Sequence, residues 1–315
     1  MTTVTAPEPA ARGGAKPILE GRRPRGEHIF VHVFIIVPML ALLAAVPLVW
    51  GWGLSWLDGG LAAGFYLLSG LGVTVGFHRC FTHRAFKANR GLRRGLAIAG
   101  SMALQGDVIT WVANHRRHHA FADKQGDPHS PWLFGTTPAA LARGFWHAHT
   151  GWLFTRDRTN AARFAPDLLA DRDIARISHQ FPLWTTVSLL APAVLGGVIS
   201  MSFWGMLTAF FWAGLVRVAA LHHVTFSINS ICHMIGQRPF TTNVWPLAIV
   251  SLGESWHNLH HADPTCARHG VRPGQVDISA RVIWVLEKLG WAREVRWPTS
   301  DRLARLSTNP AASTS

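Results

Sequence analysis

The sequence Trp111-Val112-Ala113-Asn114-His115-Arg116-Arg117-His118-His119 decides the fold, because it places three histidines at positions i, i+3 and i+4. On an α-helix of about 3.6 residues per turn these positions share one face, so their imidazoles can converge. The same spacing returns in His257-Asn258-Leu259-His260-His261. Imidazole is a preferred ligand of iron, copper, nickel and zinc, so the repeat predicts a metal site.

A third group, His78-Arg79-Cys80-Phe81-Thr82-His83, separates two histidines by five positions. On an ideal α-helix that spacing diverges by about 140°, so the two rings can converge only where the helix frays or the chain turns. We call the groups at 78–83, 115–119 and 257–261 the first, second and third motifs. Together they supply eight imidazoles, a number that is hard to explain without a metal.

The composition of the 315-residue chain favours a membrane protein, since hydrophobic residues make up 49% and charged residues 15%. A membrane-spanning helix needs about 20 apolar residues. We predict spans at roughly 30–54, 61–77, 183–202 and 203–226. The formal charge of +13 would suit a nucleic-acid partner, but the cations are segregated into particular loops, so we expect none.

The distribution of Lys and Arg predicts the orientation in the membrane. The loops near 51–60 and 199–205 contain neither residue, and every cation except Arg217 lies in the N-terminal arm, in 79–176 or after the fourth span. The positive-inside rule then places both termini and all three motifs in the cytoplasm. Arg217, inside the fourth span, is expected to face the bundle and to pair with a carbonyl or with water.

These patterns predict an all-α protein, a four-helix transmembrane bundle with a cytoplasmic helical cap that carries the histidines. The bundle and cap are predicted over 28–296, between a disordered cytoplasmic arm at 1–27 and a disordered tail at 297–315. Gly95–Val112 is expected to form a helix that dips into the membrane or lies on its surface, with the second motif at its end.

The motifs and their order resemble the membrane fatty-acid desaturases, most closely the stearoyl-CoA (Δ9 acyl-CoA) desaturases in their bacterial forms. The resemblance covers roughly 28–292 and rests on Gly76–His83, on His115–His119 and on Gly253-Glu254-Ser255-Trp256-His257-Asn258-Leu259-His260-His261. It implies an O₂-dependent enzyme with two irons that introduces a cis double bond at Δ9 into a saturated acyl chain. A membrane hydroxylase on the same site is the alternative within the enzymes.

The resemblance also implies the ligands, because these enzymes hold two irons on nine histidines, with an asparagine that holds a metal-bound water. The ninth histidine and the asparagine match His233 and Asn229. The implied ligands are therefore His78, His83, His115, His118, His119, His233, His257, His260 and His261, with Asn229 acting through water. Asp127, Glu254 and Asp263 are candidates to orient ligand imidazoles, as against ordinary loop contacts.

A kinked substrate channel is implied as well. Its bend matches Gln105, Trp111 and Thr225, and its end matches Tyr66 with Gly70 one turn further along the second span. The animal enzymes contact the CoA headgroup at two positions that are Ala113 and Gly106 here. Acyl-CoA is the expected substrate, held by other cations, and a phospholipid or a carrier protein is the alternative acyl carrier.

The source of electrons is expected to be a separate protein, because the sequence contains no cytochrome b5-like haem motif, flavin motif or cysteine-rich iron–sulfur motif. A ferredoxin, a rubredoxin or a flavoprotein reductase would each serve. A metal transporter or sensor is the alternative hypothesis from outside the enzymes. It would need ionisable residues through the bilayer midplane, where only Arg217 lies.

Overall fold

Four helices dominate the computed structural model, which describes residues 16–49, 53–235 and 244–308. They are long and apolar enough to cross a membrane, and we call them the first to fourth spans: Arg25–Val49, Trp56–Thr82, Phe181–Ser200 and Phe203–Met234. The predicted four-span fold is confirmed. The first span lies at 25–49 rather than 30–54, and the second and fourth continue into the histidine sites at their ends.

Short helices between the second and third spans and after the fourth span form the cap. They are Arg90–Ser101, Val108–Phe121, Pro138–His149, Ala161–Phe164, Pro166–Ala170, Arg172–His179, Trp245–Val250, His257–Ala262, Ile278–Lys288 and Ser300–Thr308, with a 3-10 turn at Gly151–Phe154. Two short antiparallel strand pairs are the only departure from an all-α fold in the described chain. They join Leu19–Arg22 to Asp157–Thr159 and Lys87–Ala88 to Ala292–Arg293.

The last part of the second span, Gly72–Thr82, is a π-helix, and this explains the spacing of the first motif. A π-helix joins residues five apart by hydrogen bonds, and the His83 amide donates to the His78 carbonyl at 3.1 Å. The helix was expected to fray, or the chain to turn, between the two histidines. Instead the helix continues with wider turns. It keeps both imidazoles on one side, with ring centroids 4.8 Å apart.

The single helix expected over Gly95–Val112 is wrong, because the chain breaks it in two. One helix ends at Ser101 and the next begins at Val108, where the Asp107 side chain caps it by accepting hydrogen bonds from two backbone amides. Gly106 in the break has a φ of 111°, which L side chains rarely adopt. The break brings Gln105 within 3.4 Å of Trp111, which lies one helical turn before the second motif.

Close helix packing positions the first motif. A Cβ added to Gly72 would lie 2.1 Å from the Gly100 nitrogen, and one added to Gly76 would lie 3.0 Å from the Leu96 Cβ. The Phe77 ring fills the space over Gly100, 2.4 Å from where a Cβ would be. Small residues let helix backbones approach closely in membrane proteins. The π-helical end of the second span is therefore held against the helix Arg90–Ser101.

Arg217 faces the bundle interior, as predicted. The residue is only 3% exposed, and its guanidinium donates to the carbonyls of Ala213, Met102 and Ser188. These carbonyls come from the fourth span, from the break after Ser101 and from the third span. Its hydrogen bonds thus satisfy the buried charge and tie the three segments together.

Both ends of the chain are partly ordered in the described residues, although the sequence predicted disorder there. Glu20 lies in a strand and pairs with Arg158 at 3.0 Å, and the first span already begins at Arg25. Towards the other end, Arg302 in the helix Ser300–Thr308 pairs with Asp263. These partners are distant in the chain, so no local sequence pattern indicated them. The remainder of the predicted arm and tail, 1–15 and 309–315, lies outside the described residues.

Candidate metal centre

The nine expected ligand histidines lie in two groups where the second and fourth spans end. Within each group, one ring nitrogen of every member lies within 4.8 Å of the others. We call the first group the five-histidine cluster: His78, His83, His115, His119 and His260. The second is the four-histidine cluster: His118, His233, His257 and His261.

The second and third motifs each contribute to both clusters. In the second motif, His118 belongs to the four-histidine cluster and the other two histidines to the five-histidine cluster. In the third motif, His260 belongs to the five-histidine cluster and the other two to the four-histidine cluster. The clusters are neighbours, since the rings of His119 and His261 stack with centroids 4.7 Å apart. The i, i+3, i+4 spacing therefore serves a pair of adjacent sites.

The separations between ring nitrogens suit the ligands of a metal ion. The Nε2 atoms of His78 and His260 are 3.0 Å apart. In the other cluster, the Nε2 atom of His257 lies 2.9 Å from that of His261 and 3.0 Å from that of His233. Two nitrogens at right angles on one metal, each at the usual distance of about 2.0–2.1 Å, lie about 3 Å apart.

Burial favours the neutral form of five cluster imidazoles. Desolvation lowers the pKa well below the ordinary histidine value for His115, His118, His119, His260 and His261. A neutral imidazole has one N–H group and one lone pair, so the facing nitrogens cannot all donate to one another. Nε2 of His83 is buried with no hydrogen-bond partner among the described residues. Converging lone pairs of this kind fit a bound cation.

Carboxylates hold the outward-facing nitrogens. Nδ1 of His78 lies 2.5 Å from Glu254, and Nδ1 of His118 lies 2.9 Å from Asp127. A carboxylate in this position keeps the proton on Nδ1 and directs the Nε2 lone pair towards the metal. The positions of Asp127 and Glu254 match their expected orienting role, whereas Asp263 pairs with the C-terminal helix.

Asp123 and His269 also lie at the site, although neither was predicted. Asp123 lies 3.2 Å from Nδ1 of His233 and is a further carboxylate outside the clusters. His269, 1% exposed, packs its ring 5.5 Å from the His78 ring and 4.6 Å from the His260 ring. The sequence did offer a signal for Asp123, because this carboxylate follows the second motif by about one helical turn. His269 belongs to no motif, so the sequence offered no signal for it.

Arg79 of the first motif links this outer layer to the protein core. Its guanidinium is fully buried and donates to Glu254 at 2.9 Å, to Asp277 at 3.2 Å and to the Ala267 carbonyl at 2.8 Å. It also donates to Nδ1 of His269 at 3.3 Å. Two carboxylates therefore compensate the buried charge, and Arg79 fixes Glu254 behind His78.

A cavity of about 820 Å³ reaches both clusters. Its lining includes His78 and His115 of the five-histidine cluster, His257 of the four-histidine cluster, and Asn229. Asn229 therefore lies on the cavity side of the four-histidine cluster, which has one imidazole fewer than its neighbour.

The three residues expected at the channel bend meet in the cavity wall. Gln105 donates from Nε2 to the Thr225 hydroxyl at 2.9 Å, and Trp111 donates from Nε1 to Gln105 Oε1 at 3.4 Å. The Trp111 ring also stacks on His115 with centroids 5.0 Å apart. The bend is thus a hydrogen-bonded unit in contact with a cluster histidine.

The two residues expected at the channel end lie at different places relative to the cavity. Gly70 lines the cavity, and a Cβ there would lie 3.1 Å from Leu252 and 3.7 Å from Leu221. Among the described residues, Tyr66 lies behind this wall, packed near Leu221, with its hydroxyl donating to the Val250 carbonyl at 2.6 Å. Gly70 and the two leucines therefore form the wall, and Tyr66 supports it.

Membrane-length helices, two histidine clusters at one end and a cavity that reaches both define a class of membrane protein with a metal-binding histidine centre. Comparison with known proteins identifies the family. The family model for fatty acid desaturases matches residues 54–278. The chain belongs to the fatty acid desaturase family.

Three relatives illustrate the range within this family. The chain is 40% identical over 276 residues to the hex-5-enoyl-[acyl-carrier protein] acetylenase of Moorena producens, covering 85% of this chain and 86% of that protein. It is 36% identical over 251 residues to Delta-9 acyl-lipid desaturase 1 of Arabidopsis thaliana, covering 77% and 76%. It is 31% identical over 282 residues to the sn-1 stearoyl-lipid 9-desaturase of Synechocystis sp., covering 87% and 81%.

Proposed function

We propose that the protein is an O₂-dependent di-iron desaturase that introduces a cis double bond into a saturated long-chain acyl group. The observation that carries the proposal is the cavity, whose lining combines histidines of both clusters with apolar residues of the spans. An acyl chain in this cavity would lie beside both metal sites. The nine cluster histidines are the proposed iron ligands, with Asn229 acting through a water molecule.

The irons would supply the oxidising chemistry that an unactivated methylene requires. The protein's own residues orient the ligands and the substrate. Asp127 and Glu254 hold the Nδ1 protons of His118 and His78, so that the Nε2 lone pairs face inward. The apolar wall excludes water from the reacting part of the chain.

The double bond is proposed to form between carbons nine and ten. The unit of Gln105, Trp111 and Thr225 gives the cavity wall a fixed shape next to His115. Such a bend holds the chain near the geometry of the cis product, with the reacting carbons beside the irons. The names of the Arabidopsis and Synechocystis relatives also specify position 9.

The acyl carrier is proposed to be CoA, with a lipid-linked acyl chain as the second candidate. Two observations support retaining the second candidate: the side chains of Ala113 and Gly106 are small, and two relatives are named as desaturases of acyl lipids. Electrons are proposed to come from a separate ferredoxin, rubredoxin or flavoprotein reductase. The active site and both termini are proposed to be cytoplasmic.

Product analysis tests this function. Membranes that contain the protein would receive deuterated stearoyl-CoA or stearoyl phospholipid, O₂ and a reduced ferredoxin system. Mass spectrometry with localisation of the double bond should show a Δ9 monoene, which His119→Ala should abolish. A hydroxylated product would establish the alternative oxygenase, and unsaturation at another position would contradict the assignment of the bend.

A further inference from the structure

The segment that carries Gln105 has irregular backbone although it lies against the membrane spans. It comprises residues 102–107, between two helices of the cap, and we call it the break. Leu104 has a φ of 59° and Gly106 a φ of 111°, so two of its residues lie in the left-handed region. A leucine rarely adopts that conformation, and strained backbone of this kind persists only where neighbouring groups fix it. Contacts around the break must therefore hold its shape.

Polar side chains of the third and fourth spans bind the first two carbonyls of the break. The Met102 carbonyl accepts hydrogen bonds from the Ser188 hydroxyl at 2.6 Å and from Nη1 of Arg217 at 3.3 Å. The Ala103 carbonyl accepts one from Nε2 of His222 at 2.9 Å. Non-helical backbone among membrane spans is tolerated where the protein satisfies its polar groups in this way. We call Ser188, Arg217 and His222 the cradle of the break.

The cradle is a buried and connected unit. All three of its side chains are buried, and Nη2 of Arg217 donates to the Ser188 carbonyl at 3.0 Å and to the Ser188 hydroxyl at 2.9 Å. A charged side chain inside a membrane span is costly, and such residues commonly have a function. Binding the Met102 carbonyl gives Arg217 a task beyond its own solvation, because that carbonyl begins the segment that forms the channel bend.

His222 connects the cradle to the channel bend. Thr225 follows it by three residues, on the same face of the fourth span. Thr225 accepts the hydrogen bond of the Gln105 amide at 2.9 Å, while His222 binds the Ala103 carbonyl two residues earlier in the break. One helix face thus fixes the break at two points, once through its backbone and once through a side chain. Leu104, Gln105 and His222 all line the cavity, so a shift of the break would reshape the cavity wall.

We propose that Ser188, Arg217 and His222 are positioning residues for desaturation, which hold the break so that Gln105 sets the channel bend and the reacting carbons lie beside the clusters. The inference rests on the proposed function and specifies what fixes the position of the double bond. The three residues act through the break. A displacement of about 1 Å at the bend is enough to misplace the reacting carbons and to slow the reaction strongly.

The experiment uses the full-length, iron-loaded protein and the variants His222→Leu and His222→Gln. Leucine removes the donor to the Ala103 carbonyl, whereas the glutamine amide nitrogen can take the place of Nε2 and keep the bond. His223→Leu is the matched control on the same span. In the described chain, the ring nitrogens of His223 lie 3.0 Å from His149 and 3.0 Å from the Met39 sulfur, away from the break.

Two readouts are combined: hydrogen–deuterium exchange of a peptide that covers 102–107, and kinetics with localisation of the double bond in the product. His222→Leu should speed exchange in the break by about tenfold, the effect of one lost buried hydrogen bond. Its kcat should fall by about tenfold or more, with KM near the wild-type value because the apolar wall still binds the chain. A positional isomer of the monoene should appear beside the wild-type product. His222→Gln should restore wild-type exchange, kcat and product, and His223→Leu should keep wild-type exchange and a single product.

Ser188→Ala removes one hydroxyl with little change of volume, so it provides the same test if the leucine variant does not fold. Unchanged exchange in the break in either variant would overturn the cradle. Loss of iron or a lower Tm, with the double bond still at the wild-type position, would overturn the positioning role, because the residues would then serve stability alone. Absence of any desaturated product from the wild-type protein would instead contradict the proposed function, and the exchange measurement would still test the cradle.

Discussion

Carboxylates outside the clusters orient cluster histidines by pairing with their Nδ1 atoms. The partners are Glu254 for His78, Asp127 for His118 and Asp123 for His233. The spacing of the second and third motifs predicted that their histidines share one helix face, because that is a local property of a helix, but not that they divide between two clusters. The carboxylates of His78 and His233 lie far away in sequence, so only the folded chain shows which one serves which ring.

His269 is expected to be a positioning residue for the five-histidine cluster. Arg79 donates to its Nδ1 and also holds Glu254 behind His78. His269→Asn keeps an acceptor near the position of Nδ1, so we expect normal iron content and a normal Mössbauer spectrum. His269→Leu removes the acceptor, so we expect iron to be lost from one of the two sites. Full iron content with an unchanged spectrum in the leucine variant would contradict this role.

At the scale of elements, tertiary contacts determine the helix type and the helix breaks that the sequence pattern left open. The i, i+5 spacing of the first motif excluded a regular α-helix but did not indicate a π-helix. The π-helix lies where Gly72 meets the backbone of Gly100, a contact between separate helices. The break after Ser101 likewise depends on Gly106 and on the Asp107 cap. Helix existence was therefore predictable, and helix geometry at the site was not.

Gly72→Ala is expected to destabilise the protein, because the added Cβ would lie 2.1 Å from the Gly100 nitrogen. Overpacking of this kind costs about 1–3 kcal/mol. Thermal unfolding in detergent should show a lower Tm together with weaker iron retention. Gly64→Ala in the same span meets no atom within 4 Å and is the matched control. Equal Tm values for the two variants would show that the close contact does not position the first motif.

Gly70→Leu is expected to shift substrate preference towards shorter acyl chains. The new side chain cannot pass Leu252 and Leu221, 3.1 and 3.7 Å from the Cβ position, so it must occupy the cavity. Each excluded methylene forfeits about 0.8 kcal/mol of burial. Tyr66→Ala removes the support of this wall and should admit longer chains. The wild-type protein should prefer chains of about eighteen carbons, because each further methylene that fits in the cavity adds burial.

A competition assay over saturated chains of different length checks this expectation. The double bond should keep its position from the carboxyl end, because the bound headgroup and the irons would fix that distance. Gly64→Leu, in open space on the same span, should keep the wild-type profile. An unchanged length profile in active Gly70→Leu would place the channel end elsewhere.

At the scale of the whole molecule, the charge distribution predicts that the histidine end is cytoplasmic. Trp56 and Met201 are 100% and 88% exposed at the opposite end of the bundle, and Asp157 is exposed on the cap. Cysteines at 56 and 201 should react with an impermeant maleimide on intact cells, and a cysteine at 157 only after lysis. Asp58 is unsuitable as a label because it is buried and caps the second span. Labelling of position 157 from outside would contradict the orientation.

The overall architecture was accessible from sequence because hydropathy, charge segregation and motif spacing are all local patterns. Four spans and eight of the nine converging histidines followed from them, whereas the ninth, His233, followed from the family resemblance. The pairing of the N-terminal strand with Asp157–Thr159 and the buried contacts of Arg79 depend on residues more than a hundred positions apart. Contacts of this kind leave no periodicity in the sequence.

Iron content tests the central claim, that five and four histidines form two separate metal sites. Wild-type protein, His83→Ala and His233→Ala would be compared by metal analysis and Mössbauer spectroscopy, since each variant alters one cluster. We expect two irons in the wild type and one in each variant, with a different remaining spectrum in each. Two irons with unchanged spectra in both variants, or a single iron in the wild type, would contradict the two-site centre.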